Sequence, residues 1–183
     1  MNNSLTVSRH FARLVWLLLN DAGAFDALYH RHRGALFRYV LGGIKERALA
    51  EELYQEIWIR VIEARSRYEP RARFTTWLYT IAHNRMVDHW RERGLSLVSL
   101  EDAPEAGDAS ADPARGAEGR EALRSLAAAL EALPALQREA FLLHEEAGLS
   151  VAEIAAATGS NEEAAKSRLR YAIAKLKAAV DHG

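Results

Sequence analysis

The chain has 183 residues, 49% of them hydrophobic, and a formal net charge of −1 from 24 Lys and Arg against 25 Asp and Glu. That apolar content excludes wholesale disorder, and the length suits one domain or two small ones, each able to bury a core. The absence of cysteine excludes a disulfide framework, a thiolate zinc site and a thiol nucleophile, and is compatible with a cytoplasmic location.

In chain order, the first predicted helix spans about 5–19 and holds the apolar run Leu14-Val15-Trp16-Leu17-Leu18-Leu19. Six residues are too few for a bilayer, which takes roughly 20. No convincing small-residue cleavage site follows, so the run is read as a buried helix and no membrane insertion is expected. A second helix, about 22–41, carries Phe25, Leu28-Tyr29, His32, Leu36-Phe37 and Val40-Leu41 at three- and four-residue intervals. Gly42-Gly43 is expected to stop it. The third, about 46–67, presents Leu49, Leu53, Ile57, Val61 and Ala64, with Ile57-Trp58-Ile59 widening the apolar face. Pro70 and the basic loop Arg71-Ala72-Arg73 come next, because proline keeps Glu69 out of the helical region. A fourth helix, about 74–93, mixes Phe74, Trp77, Tyr79 and Trp90 with His83, Arg85, His89, Arg91 and Arg93.

Charge is distributed unevenly. Residues 1–94 carry 15 basic and 10 acidic side chains (net +5), 95–119 carry one and six (−5), and 120–183 carry eight and nine (−1). The middle segment is rich in Ala, Gly, Pro and Asp and lacks apolar periodicity. It cannot bury enough surface to offset the entropy of ordering, so it reads as a flexible acidic linker.

Beyond it, Leu123, Leu126, Leu130 and Leu133 form one stripe that ends at Pro134. Gln137–Glu146 is a second helix with Phe141-Leu142-Leu143 inward, closed by Gly148. Ser150 to Glu153 is a capping box opening a short helix through Thr158, and Gly159 turns the chain. Ser160 to Glu163 reads as a second capping box, opening a long helix to about Val180. Helix, glycine turn, helix is helix-turn-helix geometry. The small pair Ala155-Ala156 would let the two helices cross closely over Ile154, Leu169, Ile173 and Leu176. Strand signals are missing throughout, so the fold class is all-α: two small helical domains, 1–94 and 120–183, joined by the linker 95–119.

The last helix gathers Lys166, Arg168, Arg170, Lys175 and Lys177, with no acid between Ala164 and Val180. Such cations pair with phosphates in a sequence-independent way. A solvated face with Lys and Arg near a helix C-terminus is the competing explanation. The capped helix and glycine turn ahead of it tip the reading towards DNA.

Glu51-Glu52-Leu53-Tyr54-Gln55-Glu56 and the run from Phe74 to Arg91 closely resemble region two of extracytoplasmic-function sigma factors of the sigma-70 family. Leu130 to Pro134, Arg138 to Phe141, Ser150 to Ile154 and Lys166 to Leu169 resemble region four of that family. The likeness covers nearly the whole chain, in the right order. It implies a protein that joins bacterial RNA polymerase core, directs it to a promoter and helps to melt the DNA.

What the resemblance implies for individual residues is concrete. The contacts with the clamp coiled coil of the largest polymerase subunit would fall on Glu51, Glu52, Leu53, Gln55, Glu56, Trp58 and Arg60, and region four would meet the β flap. Plain core packing competes for Leu53 and Ile57. The minus-10 element would meet Arg71, Arg73, Phe74, Thr76, Trp77, His83, Asn84, Arg85, His89 and Arg91. That set joins flat faces for unstacked bases with cations for the backbone. Asn84 offers donor and acceptor on one amide, the loop 67–74 corresponds to a pocket for a flipped base, and Trp77 and Ile81 also suit a core. The minus-35 element would meet Asn161, Glu162, Glu163, Lys166, Ser167, Arg168 and Arg170 in the major groove.

Two departures from the family pattern stand out. Glu163-Ala164-Ala165 replaces the usual Gly-Thr-Val before Lys-Ser-Arg, placing carboxylates near the groove, and an unusual minus-35 preference is expected. Leu49-Ala50-Glu51-Glu52 replaces Asp-Ala-Glu-Asp. Some family members carry a kinase-targeted threonine in this patch, and Glu51 would supply part of a phosphate's charge without modification. Control is expected from a separate anti-sigma factor or a Ser/Thr kinase. A helix-turn-helix regulator acting without polymerase is the alternative. An enzyme is not expected: His30 with His32 and His83 with His89 lack the i, i+4 spacing of a helical metal pair. No metal or cofactor is called for.

Overall fold

The computed structural model describes residues 22–65, 68, 73–94 and 118–181. It contains α1 (Ala22–Ile44), α2 (Arg47–Ala64), α3 (Phe74–Glu92), α4 (Glu118–Ala132), α5 (Ala135–Glu145), α6 (Val151–Thr158) and α7 (Glu162–Asp181), and no strand among the described residues. The expected helix at 5–19, the loop residue Arg71 and nearly all of the acidic linker lie outside them.

α1 does not stop at Gly42-Gly43. It runs on to Ile44 and ends at Lys45, whose φ of 66° is left-handed and whose N–H donates to Leu41 O at 2.7 Å. The glycines are there for close approach: a Cβ on Gly43 would lie 2.1 Å from Met86 Cε, and one on Gly42 would lie 2.8 Å from Leu142 Cδ1. α2 ends at Ala64, short of the expected 67.

Leu36, Tyr39 and Val40 of α1, Leu53, Ile57 and Val61 of α2, and Leu78, Tyr79 and Met86 of α3 are fully buried together. Each such side chain contributes about 1.5–3 kcal/mol of hydrophobic stabilisation. Phe25 and Tyr29 meet Trp58 edge-on, at ring separations of 6.0 and 4.9 Å. In the C-terminal half, α7 packs on α4 and α5 around Leu133, Ala172 and Leu176. Leu123, expected on the α4 stripe, is exposed.

α6 opens on the expected box. Glu153 N donates to Ser150 Oγ at 3.3 Å, and Ser150 N donates back to Glu153 Oε2 at 2.9 Å. Gly159 closes α6 at a left-handed φ of 63°. The second box is absent. Ser160 Oγ sits 3.0 Å from Thr158 Oγ1 in the turn, and Asn161 Oδ1 caps α7 instead, accepting from Ala164 N at 2.8 Å. The close crossing of α6 and α7 rests on Ala155, Ala157 and Ala165; Ala156 faces solvent.

The two halves pack on each other. α5 lies against α1 and α6 against α3, and Leu142, Leu143, Leu149 and Ile154 join the N-terminal side chains in one apolar cluster.

Candidate functional site

Three surfaces gather the residues singled out by sequence. On α2 the helical period divides them. Leu53, Ile57 and Trp58 point into the core, while Glu51, Glu52, Gln55 and Arg60 point out. Glu51 is spanned by Arg47 one turn earlier, at 3.0 Å, and stays half exposed. Glu56 accepts from Arg85 Nε, and Arg60 Nη1 lies 3.2 Å from Asp88, so both residues bind α2 to α3. The Arg85 hydrogen bond holds the Glu56 carboxyl below its ordinary range and raises the guanidinium in turn. Ile59, expected to widen the buried face, is 55% exposed, and Ile62 is 40% exposed. Both isoleucines stand among the charged residues of the outward face of α2. Apolar periodicity assigns Ile59 to the buried face because it adjoins the buried pair Ile57 and Trp58.

On α3, Asn84 and Arg91 face solvent and Trp77 is half buried. Tyr68 and Phe74 hold the Trp77 indole at ring separations of 4.8 and 5.8 Å, and His32 lies 5.3 Å from Phe74 on the far side. Phe74, Thr76, His83, Arg85 and His89 are buried. Burial, then the neighbouring Arg93 and Arg85, pushes the His89 imidazole below its ordinary value. His83 Nδ1 is 2.7 Å from Glu139 Oε1 of α5, which also accepts from Tyr39 Oη at 2.7 Å. Exposed Arg73, just ahead of α3, reaches Glu153 of α6 at 3.3 Å. Part of the aromatic-basic face is thus covered by the C-terminal half.

On α7, Glu162, Glu163, Lys166 and Arg170 are exposed on one side, and Asn161 is spent on the cap. The Arg170 guanidinium stacks over Tyr171 at 5.1 Å. Ser167 and Arg168 are half buried and line a cavity of about 250 Å³ between α5 and α7. The histidines have separate surroundings: His30 pairs with Asp26 at 3.3 Å and His32 stacks towards Phe74. Among the described residues no three acidic or histidine groups gather as a metal site, and no helix is long and apolar enough to cross a membrane.

The chain matches the model for sigma-70 region 2 over residues 28–95 and that for sigma-70 region 4 over residues 123–176. It is 33% identical to the RNA polymerase sigma factor CarQ of Myxococcus xanthus, over 84% of this chain and 87% of the relative. It is 32% identical to the ECF RNA polymerase sigma factor SigK of Mycobacterium sp. strain KMS, over 86% and 83%. Its fold is similar to that of the sigma factor RpoE bound to the anti-sigma factor NepR from Bartonella quintana. That likeness has a TM-score of 0.66 at 25% identity and covers 86% of this chain and 96% of the other. CnrH in complex with the cytosolic domain of CnrY shares the fold at a TM-score of 0.62 and 24% identity, over 91% and 96%.

Proposed function

Since the chain belongs to the extracytoplasmic-function sigma factors of the sigma-70 family, we propose a division of labour among its three surfaces. The outward face of α2 docks on the clamp of core RNA polymerase, α3 and the loop before it take the minus-10 strand, and α7 reads the minus-35 duplex. The observation that carries this reading is the α6–turn–α7 unit. A boxed helix and a left-handed Gly159 present Lys166 and Arg170 on the exposed side of the second helix, where a recognition helix meets phosphates and base edges. The division into 1–94, 95–119 and 120–183 belongs to the same reading, as do action in the cytoplasm and a contact of the C-terminal half with the β flap.

Nothing in this scheme asks the chain to break or form a covalent bond. It positions DNA and polymerase, and the polymerase supplies the chemistry. Control by an anti-sigma factor is supported by the similarity to a sigma factor held by one. Glu51, half exposed on α2, supplies charge to the docking face in place of a phosphate. Glu51→Thr should therefore weaken capture of core polymerase in a pull-down, and undiminished capture would remove Glu51 from the docking face.

The decisive experiment is run-off transcription with core polymerase on a library of promoter fragments. Transcripts that need both this chain and core are the expected result. Binding of duplex promoter without any stimulation of core would mark a regulator working outside the polymerase.

A further inference from the structure

Glu163, Lys166 and Arg170 follow one another at three- and four-residue steps along the exposed side of α7. Residues at that spacing are neighbours on a helix, and Glu commonly pairs with Lys there. None of the three makes an ion pair with a described residue, so their charges stay available outward. Arg170 has one further neighbour. Its guanidinium carbon lies 5.1 Å from the centre of the Tyr171 ring. Tyr171 is 52% exposed and stands on the α5 side of α7, where with Ser167 and Arg168 it lines the cavity described above. A ring half in solvent adds little to the core, and Arg170 occupies its face.

A free arginine side chain samples many rotamers, and that freedom is lost when it binds. Stacking on an aromatic face restricts the guanidinium beforehand and leaves its N–H fork available for hydrogen bonds. The benefit depends on the target. A phosphate can be approached from many directions, whereas a base edge must be met in its own plane. Guanine presents two acceptors, N7 and O6, side by side in the major groove, and an arginine fork spans both. We propose that Tyr171 is a positioning residue for minus-35 recognition: its ring holds the Arg170 guanidinium ready for the N7 and O6 of one guanine. Arg170 thereby becomes the base reader of α7, and Lys166, with no ring beneath it, serves the phosphates. This rests on the reading of α7 given above.

Four variants separate the parts. Arg170→Ala removes the fork and Tyr171→Ala removes the ring. Tyr171→Phe keeps the ring without its hydroxyl, and Tyr171→Leu keeps bulk beside the cavity without an aromatic face. Circular dichroism and thermal melting report that each variant keeps its fold. The readout is run-off transcription by core polymerase with the full chain, on one transcribed promoter whose minus-35 positions are changed one base pair at a time. The ratio of transcript from guanine to transcript from the other bases measures discrimination at each position.

Wild type should prefer guanine at one position at least. Arg170→Ala should lower that ratio about tenfold, as loss of a bidentate pair would. Tyr171→Ala and Tyr171→Leu should each lower it about two- to fivefold, the size of an exposed cation–π contact, and Tyr171→Phe should match wild type. A full ratio in Tyr171→Ala overturns the positioning role. Rescue by leucine would make the ring a matter of packing, and loss in Tyr171→Phe would assign the effect to the hydroxyl; either result overturns the stack. If Arg170→Ala acts at a position that prefers another base, the choice of guanine falls. If it lowers transcription equally on every base, or not at all, Arg170 reads no base and the proposal ends, with α7 still on the minus-35 duplex. Wild-type transcription indifferent to every minus-35 base would instead remove the assignment of α7, and this inference with it.

Discussion

Arg85 illustrates how one residue's surroundings can outweigh the role its type suggests. As an arginine on an aromatic-basic helix it reads as a phosphate contact, yet it is 8% exposed and bound to Glu56, with Glu92 at 3.9 Å on its other side. Removing the Glu56 charge leaves the guanidinium buried with one distant partner. Glu56→Gln should cost about 1 kcal/mol in a urea titration at neutral pH, less than the roughly 1.5–3 kcal/mol of hydrogen bonds to charged groups, because the glutamate is 37% exposed and water screens it. The pH dependence has a definite sign. The folded chain holds this carboxyl below its unfolded value, so the stabilisation is complete above the unfolded pKa and fades as pH falls through the folded one. Wild type and variant should converge in acid; a gap that persisted there would mean that packing, not charge, is lost.

Single elements show which parts of the fold a sequence discloses. The Ser150–Glu153 box is legible because both partners lie within one turn and need nothing from elsewhere. The cap of α7 lies one residue beyond the serine that the sequence suggests, since Ser160 and Asn161 are both good caps and only the turn geometry, with Ser160 engaged by Thr158, decides between them. Asn161→Ala should therefore cost about 1 kcal/mol of stability, and Ser160→Ala a few tenths, when their urea midpoints are compared. Equal costs would restore the serine as cap. The glycine pair of α1 was hidden for a different reason. Its partners, Met86 and Leu142, lie far along the chain, so a close approach looked like a helix stop. The burial of His83 was equally out of reach, because Glu139 that holds it belongs to the other half.

At the scale of the whole molecule, the surfaces differ in how free they are. The C-terminal half covers part of α3, but among the described residues the outward face of α2 is uncovered, with Glu52, Gln55, Ile59 and Ile62 all exposed. If α2 docks on core polymerase as proposed, a chain whose α3 is partly covered can still meet core through α2, and docking would come first. Ile59 and Ile62 make this testable, since they add apolar area to a face otherwise charged, and exposed apolar groups of this kind tend to anchor interfaces. Ile59→Asp with Ile62→Asp should lower affinity for core polymerase at least tenfold in a titration of labelled protein. Stability should change by less than about 0.5 kcal/mol, because neither side chain supports the core. Run-off transcription should then recover as core concentration is raised, the behaviour of a chain weakened in docking alone. A defect that persisted at saturating core would move these isoleucines from docking to a later step, and would take with it the order in which the two surfaces act.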